Sequence, residues 1–199
     1  RHSRSRRTNF ENRLISPSVL LSLGRLPNLN YIRHERGIGT RIGGLTTIRE
    51  AERAGVLREK LPALASAFGK VGNIRIRNAA TVAGNLSEAD YASDPPCMLV
   101  ALRGRVKAQS VRGEREIPLT EFFQGFYETA LKEDEILTEV IVPDLPAGSR
   151  SVYLKYVSRS SEDRPCVGMA AVLDLKPDGV CKELRLVAGA VAETPVEFH

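Results

Sequence analysis

Residues 77–96 read RNAATVAGNLSEADYASDPP. The stretch places small residues, an Asn and an Asp close together behind a helical segment, where an ordinary core would place bulk. Ala83 and Gly84 remove the side chains that block close approach, and successive backbone N–H groups in such a turn can cradle an anion. Thr81 offers a hydroxyl and Asn85 both a donor and an acceptor. Ser93 and Asp94 add a hydroxyl and a carboxylate, suited to sugar or ribityl hydroxyls. The ordinary reading is a tight turn followed by a helix N-cap. A single short glycine turn does not separate the two readings, and this one is neither GxGxxG nor a Walker loop.

Working outward, residues 61–71 carry Leu61, Leu64, Ala65 and Phe68 at helical spacing. Thr47 with Glu50 three residues on is a capping-box pattern, and Gly55 is a plausible stop. Residues 30–45 read as strand, tight turn at Arg36–Gly37, strand. After residue 93, an acid and two prolines open an apolar run, which predicts a helix start. Arg112–Gly113 and Pro177–Asp178–Gly179 mark hairpin turns, and residues 136–142 read as a strand stopped by Pro143. Phe122, Phe123 and Phe126 read as core rather than as a shelf for a ring. Residues 144–150 form a linker and a candidate boundary. The expected class is α+β.

The 199 residues suffice for one domain or for one and part of a second, and 42% of them are hydrophobic. No apolar run approaches the length that crosses a bilayer. The net charge is +5, of which five arginines against Glu11 in residues 1–13 supply +4. That segment is expected to be a disordered basic tail. No aromatic residues alternate with its arginines, so nucleic-acid binding is not the expectation. Cys97, Cys166 and Cys181 are far apart with no CxxC, as in a reduced cytoplasmic protein, and nothing clusters as an iron–sulfur or metal ligand set. The three histidines are dispersed, so no catalytic constellation is expected.

The run IRNAATVAGNLSEADYASDPPCMLVAL, residues 76–102, resembles the FAD-binding medium subunits of the molybdenum hydroxylases, of the carbon monoxide dehydrogenase, xanthine dehydrogenase and hydroxybenzoyl-CoA reductase types. RIGGLTTIREAE (41–52), LPALASAF (61–68), IPLTEFFQGFYETALKEDEILTEVIVP (117–143) and YLKYVSRSSEDRPCVGMAAVL (153–173) resemble the same family in the same order, so the resemblance covers residues 14–195. It implies a PCMH-type FAD-binding domain at 14–145, mainly its second subdomain, and the start of a flavoprotein C-terminal α+β domain at 150–199. The implied cofactor is FAD. The implied partners are a molybdopterin large subunit and a 2Fe-2S small subunit, and the implied role is electron relay to an acceptor the sequence does not name.

By that resemblance Thr81, Ala83, Gly84 and Asn85 lie along the FAD diphosphate, and Ser93 and Asp94 hold the ribityl and phosphate region. Leu137 packs near the flavin ring or adenine, with simple core packing as the other reading. Lys155 matches a basic position near the flavin, with a solvated strand residue as the other reading. Three departures stand out. Ala83 replaces the first glycine of the family's pair, and Glu88 sets a carboxylate near the phosphates. The family's earlier glycine loop has no match in the arginine-rich start. The chain also stops at His199, before the family's remaining helices and strands. These departures predict a chain truncated at both ends with weakened FAD affinity. The alternative they support is an FAD-free scaffold acting as an interaction module.

Overall fold

A computed structural model describes Val19 and residues 21–198. The basic segment 1–13 lies outside the described residues. Two antiparallel sheets and a set of short helices make up the fold.

The first sheet begins as the expected hairpin, β1 (Ile32–Glu35) and β2 (Gly39–Gly43), paired from Ile32↔Ile42 to Glu35↔Gly39. Helix α1 (Ile48–Arg53) starts at the predicted capping box. Glu50 N donates to Thr47 Oγ1 at 3.1 Å, and Thr47 N donates to Glu50 Oε2 at 2.7 Å. Two orphan donors of the first turn are thereby satisfied, and Ile48 and Ala51 face the core. The helix does not run to Gly55. It closes at Ala54, and Gly55 opens α2 (Gly55–Lys60) instead.

Helix α3 (Pro62–Gly69) places Pro62 where its missing N–H costs nothing, and buries Leu64, Ala65 and Phe68 as their spacing predicts. Helix α4 (Ile74–Ala79) is capped by Asn73, whose Oδ1 accepts from Arg75 N and Ile76 N. Next comes α5 (Val82–Glu88), so Ala83 and Gly84 sit inside a helix and not in a tight turn. Thr81 is its N-cap. Helix α6 (Asp94–Ala101) opens with the acid and prolines as expected, and all eight of its residues are buried.

Strands β3 (Arg105–Ser110) and β4 (Gly113–Pro118) form the second hairpin. A four-residue α7 (Leu119–Phe122) leads into a small ribbon, β5 (Phe123–Gly125) with β6 (Glu128–Thr129). Phe122 and Phe123 are buried as expected. Phe126 is half exposed and meets Tyr91 edge to face. β7 (Ile136–Val142) then enters the middle of the first sheet, whose order is β1-β2-β7-β3-β4. Its near-continuous burial reflects cover on both faces. Arg41 of β2 reaches across the sheet to Glu139 of β7 with two hydrogen bonds, at 3.0 and 2.7 Å, and Tyr31 donates its hydroxyl to the same carboxylate.

The second sheet has the order β11-β10-β9-β8, with β8 (Arg150–Tyr156), β9 (Val167–Leu175), β10 (Cys181–Gly189) and β11 (Val196–Phe198). The predicted Pro177–Asp178–Gly179 turn joins β9 to β10. One face of this sheet packs on α6, which touches both β9 and β10, and on α3, which touches β8. The core runs continuously from the first sheet through these helices to Tyr153, Ala170, Val172 and Val187. Among the described residues no helix is long and apolar enough to cross a membrane.

Candidate functional site

A cleft of about 350 Å³ opens between the end of β2, the start of α5 and the start of β7. Its walls are mostly apolar, including Leu29, Leu45, Leu131, Ile136 and Leu137. Thr81, Ser87 and Glu135 supply polar groups, and Ala83 and Gly84 form a low wall. The cleft exists because Gly43 and Gly44 bring three backbones together. Gly43 N donates to Tyr31 O at 2.8 Å, Gly44 N to Thr138 O at 2.7 Å and Leu45 N to Leu29 O at 2.8 Å. A Cβ on Gly44 would lie 2.7 Å from Leu137 O and 3.1 Å from the Ala83 methyl, and one on Gly43 only 2.4 Å from Leu29 O. Neither position accepts a side chain without moving backbone. The resemblance carried these glycines in RIGGL, but their role is legible only once α5 and β7 are seen against them.

Of the eight residues singled out in the sequence, Thr81, Ala83, Gly84 and Leu137 line the cleft. The open cradle of N–H groups expected there is not formed. Val82 N donates to Thr46 O, Ala83 N to Gly44 O and Gly84 N to Thr81 Oγ1, at 2.9, 3.1 and 3.1 Å. The small residues serve close packing and leave a smooth surface beside the Thr81 hydroxyl. Leu137 is both cleft wall and core.

The other four residues form two pairs. Asn85 and Ser93 bond to each other, Nδ2 to Oγ at 2.8 Å and Oγ to Oδ1 at 3.1 Å. This locks the loop that leads from α5 to α6. Asp94 accepts from the Tyr153 hydroxyl at 2.8 Å and from Lys155 Nζ at 3.0 Å, and Lys155 also donates to Lys70 O at 2.8 Å. Lys155 is therefore no solvated strand residue. Burial pushes the Asp94 carboxyl upward against the pull of Lys155, and burial together with Asp94 raises the Tyr153 phenol. Glu88 stands at the end of α5, outside the cleft wall.

Sequence reasoning missed Glu135. It accepts from Arg115 Nε and Nη2, both at 2.8 Å, and from Lys132 N at 2.8 Å. The Arg115 fork holds its carboxyl down at about 2. The one carboxylate on the cleft wall is thus ionised but compensated, which leaves the cleft open to an anionic ligand. Cys97 belongs to α6 and faces the second sheet, where burial raises its thiol to about 12. Among the described residues no group of His, Cys, Asp and Glu could hold a metal ion.

Apolar walls around a slot, a hydroxyl at the rim and no uncompensated charge suit one flat ring system of a dinucleotide. Residues 5–145 match the family model described as the FAD binding domain in molybdopterin dehydrogenase.

The chain belongs to this FAD-binding family.

Its relatives carry the same architecture. Nicotinate dehydrogenase FAD-subunit of Eubacterium barkeri is 35% identical, over 92% of this chain and 62% of that protein. Carbon monoxide dehydrogenase medium chain of Hydrogenophaga pseudoflava is 29% identical, over 92% of this chain and 62% of that protein. The solved carbon monoxide dehydrogenase of that organism superposes with a TM-score of 0.90 at 28% identity, covering 97% of this chain and 66% of the other. Quinoline 2-oxidoreductase of Pseudomonas putida 86 gives 0.89 at 28% identity, covering 98% and 66%. The chain spans about three fifths of the length of the curated relatives it matches. The α+β expectation is met, and it is the fold of this FAD-binding family.

Proposed function

We propose that this chain is the flavin-bearing part of a molybdenum-dependent dehydrogenase, with residues 14–145 as the FAD-binding unit and 150–199 as part of a second domain. The observation that carries the reading is the cleft itself. A family member presents an apolar slot with a smooth Ala83–Gly84 wall, the Thr81 hydroxyl and a compensated Glu135. Thr81 and Ser87 donate hydrogen bonds at the rim. Leu45, Ile136 and Leu137 exclude water from one side of a bound ring. Bound FAD would supply the redox chemistry, accepting electrons and passing them on. Around it, the chain holds the ring, shields it and keeps its own charges paired.

Asn85, Ser93, Asp94 and Lys155 act in this reading from behind the cleft wall, by fixing α5 and α6 relative to β8. A molybdopterin subunit and a 2Fe-2S subunit are the proposed partners, in line with relatives named as medium chains and FAD subunits. Fluorescence titration with FAD tests the binding. The expected result is saturable quenching, with the dissociation constant raised at least tenfold in Gly84→Leu at unchanged far-UV dichroism. No uptake by a folded wild-type chain would overturn the proposal and leave the FAD-free scaffold reading standing.

A further inference from the structure

Residues 21–31 supply one wall of the cleft, through Leu21, Leu23, Gly24 and Leu29. The segment is irregular along this length, so no helix or strand ladder holds it in register. Its fastening converges on Tyr31. Tyr31 N donates to Thr46 Oγ1 at 3.2 Å, and Tyr31 O accepts from Thr46 Oγ1 at 3.0 Å and from Gly43 N at 2.8 Å. The ring lies against Gly43, where a Cβ would come within 2.9 Å of Tyr31 Cδ1, and the Arg33 guanidinium covers it at 4.9 Å from the ring centroid. The hydroxyl donates to Glu139, a residue only 3% exposed whose carboxylate Arg41 holds with two bonds. Arg41 is steadied in turn by Glu35 at 3.0 Å. Burial, with the Glu139 carboxylate beside it, pushes the Tyr31 phenol up to about 12, so it stays protonated and donates.

We propose that Tyr31 is a positioning residue of the cleft, and that its bond to Glu139 holds residues 21–31 in place as the wall against which the ligand ring packs. The inference rests on the FAD reading of the cleft and adds to it a residue that does not line the cavity. Glu139 stands on β7 two residues after Leu137, which lines the cleft. Tyr31 stands two residues after Leu29, which also lines it and whose carbonyl accepts from Leu45 N. The Tyr31–Glu139 bond therefore ties the irregular wall to the β7 wall across 108 residues of chain. A hydrogen bond to an ionised acceptor is among the stronger side-chain ties. Apolar residues on an irregular segment contribute to binding in full only when the segment is already ordered, because ordering it on contact offsets part of the gain.

Tyr31→Phe isolates the hydroxyl. The ring stays against Gly43, and Glu139 keeps both Arg41 bonds, so no buried charge is stranded. Amide hydrogen exchange and fluorescence titration with FAD, on the full wild-type and variant chains, test the proposal. Exchange at Gly43 N and Leu45 N should be roughly tenfold faster in the variant, with the β3–β4 hairpin unchanged. The FAD dissociation constant should rise about fivefold or more. Saturating FAD should restore protection at Leu45 N selectively, which a tie serving stability alone would not produce. A variant that takes FAD at the wild-type dissociation constant overturns the proposal and leaves the FAD reading intact. Faster exchange throughout the first sheet also overturns it, because the bond would then support the sheet and not the wall. A wild-type chain that takes up no FAD overturns both readings, so the wild-type titration separates the two failures.

Discussion

Lys155 Nζ lies 3.0 Å from Asp94 Oδ2, and both side chains are only 4% exposed. This ion pair joins β8 of the second sheet to the first turn of α6, and the Lys70 carbonyl at the end of α3 completes the lysine's shell. A buried pair is costly to desolvate but far more costly to break on one side, since a charge is then stranded.

Lys155→Met should therefore destabilise the FAD-free chain by about 3–5 kcal/mol. Adding Asp94→Leu should recover much of the loss, because neither charge then remains buried. Urea denaturation of the two variants and the wild type checks this. Loss of flavin affinity in Lys155→Met without loss of stability would instead mark the lysine as a ligand group.

Gly44 is the tightest joint of the cleft. In Gly44→Ala the added methyl meets the Leu137 carbonyl, which is backbone and cannot swing aside. Overpacking of this kind costs about 1–3 kcal/mol. The expected outcome is a lower urea midpoint, together with a weaker FAD titration as Leu137 is pushed from its place in the wall.

Glu135 should make stability depend on pH in the acid range. Its folded value of about 2 lies below the roughly 4.3 of an unfolded glutamate. Its contribution is complete above the unfolded value, and is lost as pH falls from there through about 2. Glu139 works in the same direction. Burial opposes ionisation, yet the Arg41 and Tyr31 hydrogen bonds hold its carboxyl low. Melting temperature should fall between about pH 5 and pH 2. Glu135→Gln should flatten that fall. An identical pH profile in the variant would show that the Arg115 pair adds nothing.

The cysteines should separate by reactivity. Cys97 is buried, with Sγ 3.1 Å from Val187 O, and its thiol is raised to about 12, whereas Cys166 and Cys181 are exposed. Only a thiolate attacks a disulfide. A chromogenic aromatic disulfide at mildly alkaline pH should titrate Cys166 and Cys181 in the native chain and reach Cys97 only after denaturation. Rapid native modification of Cys97 would mean that α6 opens readily from the second sheet.

The sequence by itself determined the local elements. Thr47 and Glu50 specify a helix start through bonds three residues apart, Pro177–Asp178–Gly179 specifies a hairpin, and the apolar spacing from Leu61 to Phe68 specifies a buried helix face. These depend on backbone preferences and short-range periodicity, which any window of the chain contains. The family motif was legible in the same way, and with it the cofactor class. Local chemistry misled at two places. Gly55 opens a helix rather than closing one, and Ala83–Gly84 lie within a helix whose first donors are already engaged. Only the tertiary structure decided which candidates share a cleft. Thr81 and Leu137 meet there because Gly44 lets α5 and β7 touch, whereas Asp94 was drawn 61 residues along the chain to Lys155. The Arg115–Glu135 pair was likewise set by how β3, β4 and β7 align. Such pairings depend on strand register and on which backbones can approach, and neither is written into the spacing of residues along one segment.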